Sequence, residues 1–204
     1  MSTVHDTAVL LPEPAELRVR LRALAVLDGT IGDDEEYCQY TFHPDWGPGE
    51  EAARMDNGSG DEFTVLFTAA GVLVLGFDHE SEMSPYRTDD EEVWPGVVDD
   101  VPAALRPLLD DASPVAVTAC LWRETGDTAW RAGPAIEFPA GNEQPDGSDS
   151  LFHLLTDRSP ETVRAHFEDY YERPVPLDAV RHVLAGHPVT PEISAALAPP
   201  APQV

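Results

Sequence analysis

Lysine is absent from this 204-residue chain. Its twelve cations are all arginine, set against 38 aspartates and glutamates, for a formal net charge of -26. So little positive charge cannot neutralise a phosphate backbone, so charge excludes nucleic acid as a partner. Anionic membrane surfaces are repelled for the same reason. Long apolar runs are missing too: stretches such as Val72–Leu75 fall far short of the roughly 18 residues a membrane span needs. Two cysteines, Cys38 and Cys120, cannot build a disulfide framework and match no metal or redox spacing. They read as small buried hydrophobes. Met1–Asp6 lacks the basic region and apolar run of a signal peptide, so a reduced, cytoplasmic protein is expected.

What is present suffices for a core. Leu, Ile, Val and Phe make up a little under a quarter of the chain, above the ~20% level below which disorder is the default. The acid excess has three candidate causes: GC-rich codon usage, which also favours Ala, Pro and Arg over Lys, halophilic adaptation, or a surface that meets a basic partner. Its size exceeds the ~2–8 charges that keep a small domain soluble.

The pattern predicts an α+β fold: a mainly antiparallel sheet with an N-terminal helix and a C-terminal run of helices. Residues 1–13 read as a flexible N-terminus poor in structure, 14–197 as one domain, and 198–204 as a Pro-rich flexible tail. Pro14–Leu27 is rich in helix formers, with Leu17, Leu21, Leu24 and Ala25 on one stripe and Asp28-Gly29 ending it. Tyr37–His43 alternates as a strand. Phe63–Thr68 and Val72–Phe77 flank Ala69-Ala70-Gly71 as a hairpin, apolar on both faces and so covered on both. A helix is expected over Val101–Leu109, kinked or shortened by Pro107, and strands over Val115–Arg123, Thr128–Arg131 and Ala135–Phe138. Helices opening at Ser159-Pro160, Pro176 and Thr190-Pro191 complete the chain. In the first of these, Val163, His166, Phe167 and Tyr170 are expected to face inward.

The strongest chemical signal is Asp78-His79-Glu80-Ser81-Glu82, directly after the second hairpin strand. Asp78, His79, Glu80 and Glu82 could hold a divalent cation or supply an acid and a base. The segment lacks the second histidine of a His-Glu-x-x-His helix, and a solvated turn with one satisfied histidine is its plainer reading. No cofactor other than such a metal is called for. Met55–Glu62 has glycines where a calcium loop needs oxygen ligands; it reads as a sharply turned loop whose amides could receive an anion. His166 and Asp169 have the spacing to pair on a helix. Trp46 and Trp94 sit on Gly/Pro segments, as anchors for a partner or as lids on the core. Tyr170 and Tyr171 are adjacent, so only one can face inward, which leaves Tyr171 as an interface candidate.

Several segments resemble a family of uncharacterised bacterial proteins of high-GC, actinobacterial type. They are Met55–Glu62, Gly76–Ser81 with Met83–Tyr86, Trp94-Pro95-Gly96, Cys120–Asp127 and Asp169–Glu172. The resemblance spans about Tyr37 to Pro199. It implies a bacterial, cytoplasmic, single-domain protein and supplies no site residues. In size, acidity and element order the chain also compares with bacterial immunity proteins, by analogy alone. Three functions follow as expectations. The first is a non-enzymatic acidic module, immunity-like or regulatory, that binds a basic protein. The second is a metal-dependent hydrolase or small-ligand binder using Asp78–Glu82. The third is a structural or self-associating protein.

Overall fold

The computed structural model describes residues 1–32, 37–87, 89–111 and 116–198. The fold is α+β. Five strands, β1 (Tyr40–Gly47), β2 (Glu50–Asp56), β3 (Glu62–Phe67), β4 (Gly71–Phe77) and β5 (Ala119–Glu124), form one sheet in sequential order. Every neighbouring pair is antiparallel.

The hairpin of β3 and β4 forms as its sequence predicts. Thr68 N–H donates to the Gly71 carbonyl at 2.9 Å, and Thr68 Oγ1 accepts the Ala70 N–H at 3.1 Å. Glycine is required at 71: its φ is +150°, and a Cβ there would strike the Arg123 backbone of β5. All seven residues of β4 are buried, so both sheet faces are covered. On one face Phe63 meets Phe152 with centroids 5.6 Å apart, and Tyr40 meets Phe167 at 6.2 Å. On the other, Phe77 meets Tyr86 at 5.7 Å. That second face faces the long connection from β4 to β5, whose Val97, Val101, Leu105 and Leu108 are buried.

Among the described residues eight helices accompany the sheet: α1 (Val4–Leu10), α2 (Pro14–Ile31), α3 (Pro107–Asp111), α4 (Ser148–Leu151), α5 (His153–Thr156), α6 (Pro160–Tyr170), α7 (Leu177–Leu184) and α8 (Pro191–Leu197). Helix α2 buries the expected leucines, Leu17, Leu21 and Leu24. It continues two residues past Asp28-Gly29, to Ile31, with Asp28 buried there as a hydrogen-bond acceptor rather than as a stop. In α6, Ser159 Oγ accepts the Thr162 N–H at 3.1 Å and caps the helix.

Several expectations are corrected. Residues 1–13 are not poor in structure: α1 occupies Val4–Leu10, with Val4 fully buried. The strand placed at Tyr37–His43 runs from Tyr40 to Gly47, so Trp46-Gly47 ends β1 and Pro48-Gly49 is a hairpin turn into an unforeseen β2. Over Val101–Leu109 the chain makes hydrogen-bonded turns until Pro107, which opens α3 instead of kinking a longer helix. Strand β5 starts at Ala119; Val115 lies outside the described residues. The Thr128–Arg131 return is a single bridge from Arg131 to Trp122, and Ala135–Phe138 is not a strand. The tail is described only as far as Ala198. Among the described residues no helix is long and apolar enough to cross a membrane.

Candidate functional site

The turn after β4 is held by its own carboxylate. Asp78 Oδ1 accepts the N–H groups of Glu80 at 2.8 Å and Ser81 at 3.1 Å. The Asp78 N–H donates to Thr118 Oγ1 at 3.1 Å. Ser81 Oγ donates to the Pro145 carbonyl at 2.6 Å, and Arg87 donates to the carbonyls of Glu80 and Ser81. Gly147, at φ +71°, lies against the Asp78 side chain.

Across the hairpin, the loop between β2 and β3 is held in the same way. Asp56 Oδ1 accepts the Gly58 N–H, and Asn57 Oδ1 accepts those of Ser59 and Asp61. These amides are therefore occupied, and the expected anion-receiving loop is corrected. Asp61 Oδ1 accepts both the His79 N–H at 3.0 Å and the His79 ring nitrogen Nδ1 at 2.7 Å. Burial pushes the Asp61 carboxyl up, but the bonds from His79 and Asn57 outweigh it and hold the group below the ordinary carboxylate range. The same bond to Asp61 raises the His79 imidazole above its ordinary value, against a smaller opposing effect of desolvation.

Among the described residues, one group of metal-ligand side chains converges: Asp61, Asp78 and His79, whose ligand atoms lie within 4.8 Å of one another. Two of the four residues expected to form the site are therefore joined by one that was not expected. Glu80 reaches only His79, Oε1 to Nε2 at 3.6 Å, and exposed Glu82 lies outside the group. Asp61 was missed although a signal for it exists. Glu62 pairs with Phe77, so the predicted hairpin brings the residue before β3 beside the residue after β4. Two carboxylates and one imidazole suit a divalent cation; alternatively, a histidine oriented by aspartate can move a proton. A cavity of about 230 Å³ adjoins them, lined by Asp61, Asp78, His153 and His166. His166 pairs with Gln39 Oε1 through Nε2 at 2.9 Å rather than with Asp169. Burial lowers its pKa.

The aromatic candidates are tied into the fold. Trp46 is half-buried, with the Arg54 guanidinium 5.1 Å from its ring and the His43 ring 5.7 Å away. Trp94, also half-buried, donates its indole N–H to the Glu137 carbonyl at 3.0 Å. Tyr171 is half-buried and donates to Asp28 Oδ1 at 2.5 Å. Its neighbour Tyr170, expected to face inward, is the exposed member of the pair and donates to the Tyr37 carbonyl. Cys120 is fully buried, as expected.

No family model matches the chain, nor does any curated protein or solved structure at a significant level. Fold and site geometry alone bear on function.

Proposed function

We propose that this protein is a non-enzymatic acidic module, of regulatory or immunity-protein type, that binds a basic protein. One observation carries the reading: the fold itself occupies every arginine. Seven (Arg18, Arg22, Arg123, Arg131, Arg158, Arg164 and Arg181) pair with carboxylates. Four (Arg20, Arg87, Arg106 and Arg173) donate to backbone carbonyls. Arg54 lies over Trp46. Every arginine thus has a partner in the fold, most of them at the surface, while acids such as Asp89–Glu92, Asp99 and Asp100 stand exposed with no ion pair among the described residues. Such a surface steers a cationic protein toward it and repels anionic ones.

Affinity capture from source cells at roughly 50 mM and 500 mM salt tests this, because screening steepens across that range. A basic protein retained only at low salt, and rebinding as a purified component, is the expected result. The absence of any salt-sensitive basic partner would refute the reading.

A second reading, a metal-dependent hydrolase or small-ligand binder, is favoured by the convergence of Asp61, Asp78 and His79. Calorimetry with Mg²⁺, Mn²⁺, Zn²⁺ and Ca²⁺, comparing wild type with Asp61→Asn and His79→Ala, tests it. Equal binding by all three proteins, or none, would eliminate it.

A further inference from the structure

A concavity of about 790 Å³ that shares no lining residue with the Asp61 cluster lies where α1 meets β5 and the segment 128–134. That volume is in the range of specific small-molecule and peptide-segment sites. Trp122 and Trp130 line it. The two indoles differ in one respect. Trp130 donates its N–H to the Pro12 carbonyl at 2.7 Å. Trp122 is only 3% exposed, yet its N–H has no partner among the described residues, nor is the nitrogen sealed from solvent. A buried indole that lines a cavity and whose N–H has no partner among the described residues favours a hydrogen-bond acceptor there.

The charges around it set the sign of the occupant. Arg123 is held by Glu13 Oε2 at 2.7 Å and by the Asp127 carbonyl at 3.1 Å. Arg131 is held by both Asp127 carboxylate oxygens at 3.2 Å. With the two guanidiniums paired and the His5 ring set against Phe138, Asp100 and Glu124 remain at the cavity with no ion-pair partner among the described residues. Val9 of α1, 84% exposed, adds an apolar lip.

We propose that this cavity is the docking groove for an extended basic segment of the partner protein. A backbone carbonyl of that segment accepts from Trp122 Nε1, and its cationic side chains meet Asp100 and Glu124. A peptide supplies both the acceptor and the positive charge. A free anion would supply only the acceptor, against a protein of net charge -26. The proposal rests on the reading of the protein as an acidic binding module and gives that reading a location.

The test follows the indole N–H resonances of the four tryptophans during titration with acetyl-Arg-Gly-Arg-amide at low salt. Acetyl-Gln-Gly-Gln-amide and inorganic phosphate serve as controls, and Trp122→Phe assigns the peak. The Trp122 resonance is expected to move with the arginine probe and with neither control. The Asp100→Asn/Glu124→Gln variant, at one exposed and one half-buried position, should bind about tenfold more weakly, the equivalent of two ion pairs near the surface. If the arginine probe binds while Trp122 stays still, the groove is wrong but the acidic-module reading stands. If phosphate moves Trp122 instead, the cavity takes an anion and the proposal falls. If the arginine probe binds nowhere, both fall.

Discussion

Replacing Tyr171 with phenylalanine removes one oxygen and leaves the ring that stacks on Phe167, 6.3 Å between centroids. The oxygen matters because of Asp28, a fully buried carboxylate in the last turn of α2. Burial raises the Asp28 pKa, and the bonds from Tyr171 and the backbone oppose that rise. Its Oδ2 accepts the Tyr40 N–H at 2.7 Å and its Oδ1 accepts the Tyr171 hydroxyl. This carboxylate thus joins α2, the start of β1 and the end of α6. A hydrogen bond to a charged group contributes about 1.5–3 kcal/mol net, so Tyr171→Phe should destabilise by ~2 kcal/mol at neutral pH. For a domain of this size that lowers Tm by about 4–8 °C.

The pH dependence has a definite sign. A carboxyl whose folded pKa is raised contributes stability below its unfolded value of ~3.9 and loses it as pH rises through the folded value. The hydroxyl offsets that loss by favouring the ionised form. The penalty of the substitution should therefore be largest at neutral pH and shrink in acid, where Asp28 is protonated in both proteins. Urea denaturation of the two proteins across the range from neutral pH down into acid measures this. A neutral-pH difference below ~0.5 kcal/mol, or one that grows in acid, would refute the reasoning.

Three further outcomes are expected. Asp61→Asn should bring the His79 pKa down toward ~6.5, as followed by NMR titration. In the wild type the raised imidazole stabilises the fold fully below ~6.5 and loses that contribution as pH rises through its folded value, while lowered Asp61 contributes above ~3.9 and loses it as pH falls through its own. An unchanged His79 titration would show that the pair does not form. Asp146→Ala removes the acceptor for the N–H groups of Val4 at 2.6 Å and Ser148 at 3.0 Å, at a cost of about 1–3 kcal/mol. Hydrogen exchange should then show α1 losing protection ahead of the sheet, and uniform loss would contradict this. Gly76→Ala would place a Cβ 2.7 Å from Phe152 Cζ and 3.0 Å from Leu151 Cδ1. It should destabilise by roughly 1–3 kcal/mol in chemical denaturation, whereas a neutral result would mean that the helical cover gives way easily.

Legibility in the sequence followed the reach of the signal. Local periodicity carried α2, α6, α7, α8 and the β3–β4 hairpin, where apolar spacing and a cap or turn residue agree. Strand β2 failed because Glu50–Asp56 holds only three apolar residues, Ala52, Ala53 and Met55, and is a strand because neighbours pair on both sides. Helix α1 is too short for periodicity to show, and its start is held both locally, by the Asp6 carboxylate accepting the Thr3 N–H at 2.9 Å, and by Asp146, about 140 positions away. The Asp78-His79 half of the site was visible as a cluster. Asp61 was not, since it meets Asp78 and His79 only through the register of the β3–β4 hairpin. The inward turn of Tyr171 depends on Asp28, across the domain in sequence, and periodicity within α6 carries no trace of it.

Ionic strength offers the most direct trial of the central claim, that an exterior on which carboxylates far outnumber partnered arginines receives a cationic protein. The measurement is the association constant of acetyl-Arg-Gly-Arg-amide against salt, beside the glutamine analogue. Binding by the arginine peptide alone, falling steadily as salt rises and vanishing near 0.5 M, as screening requires, is the predicted result. Equal binding of both peptides, or affinity indifferent to salt, would contradict it.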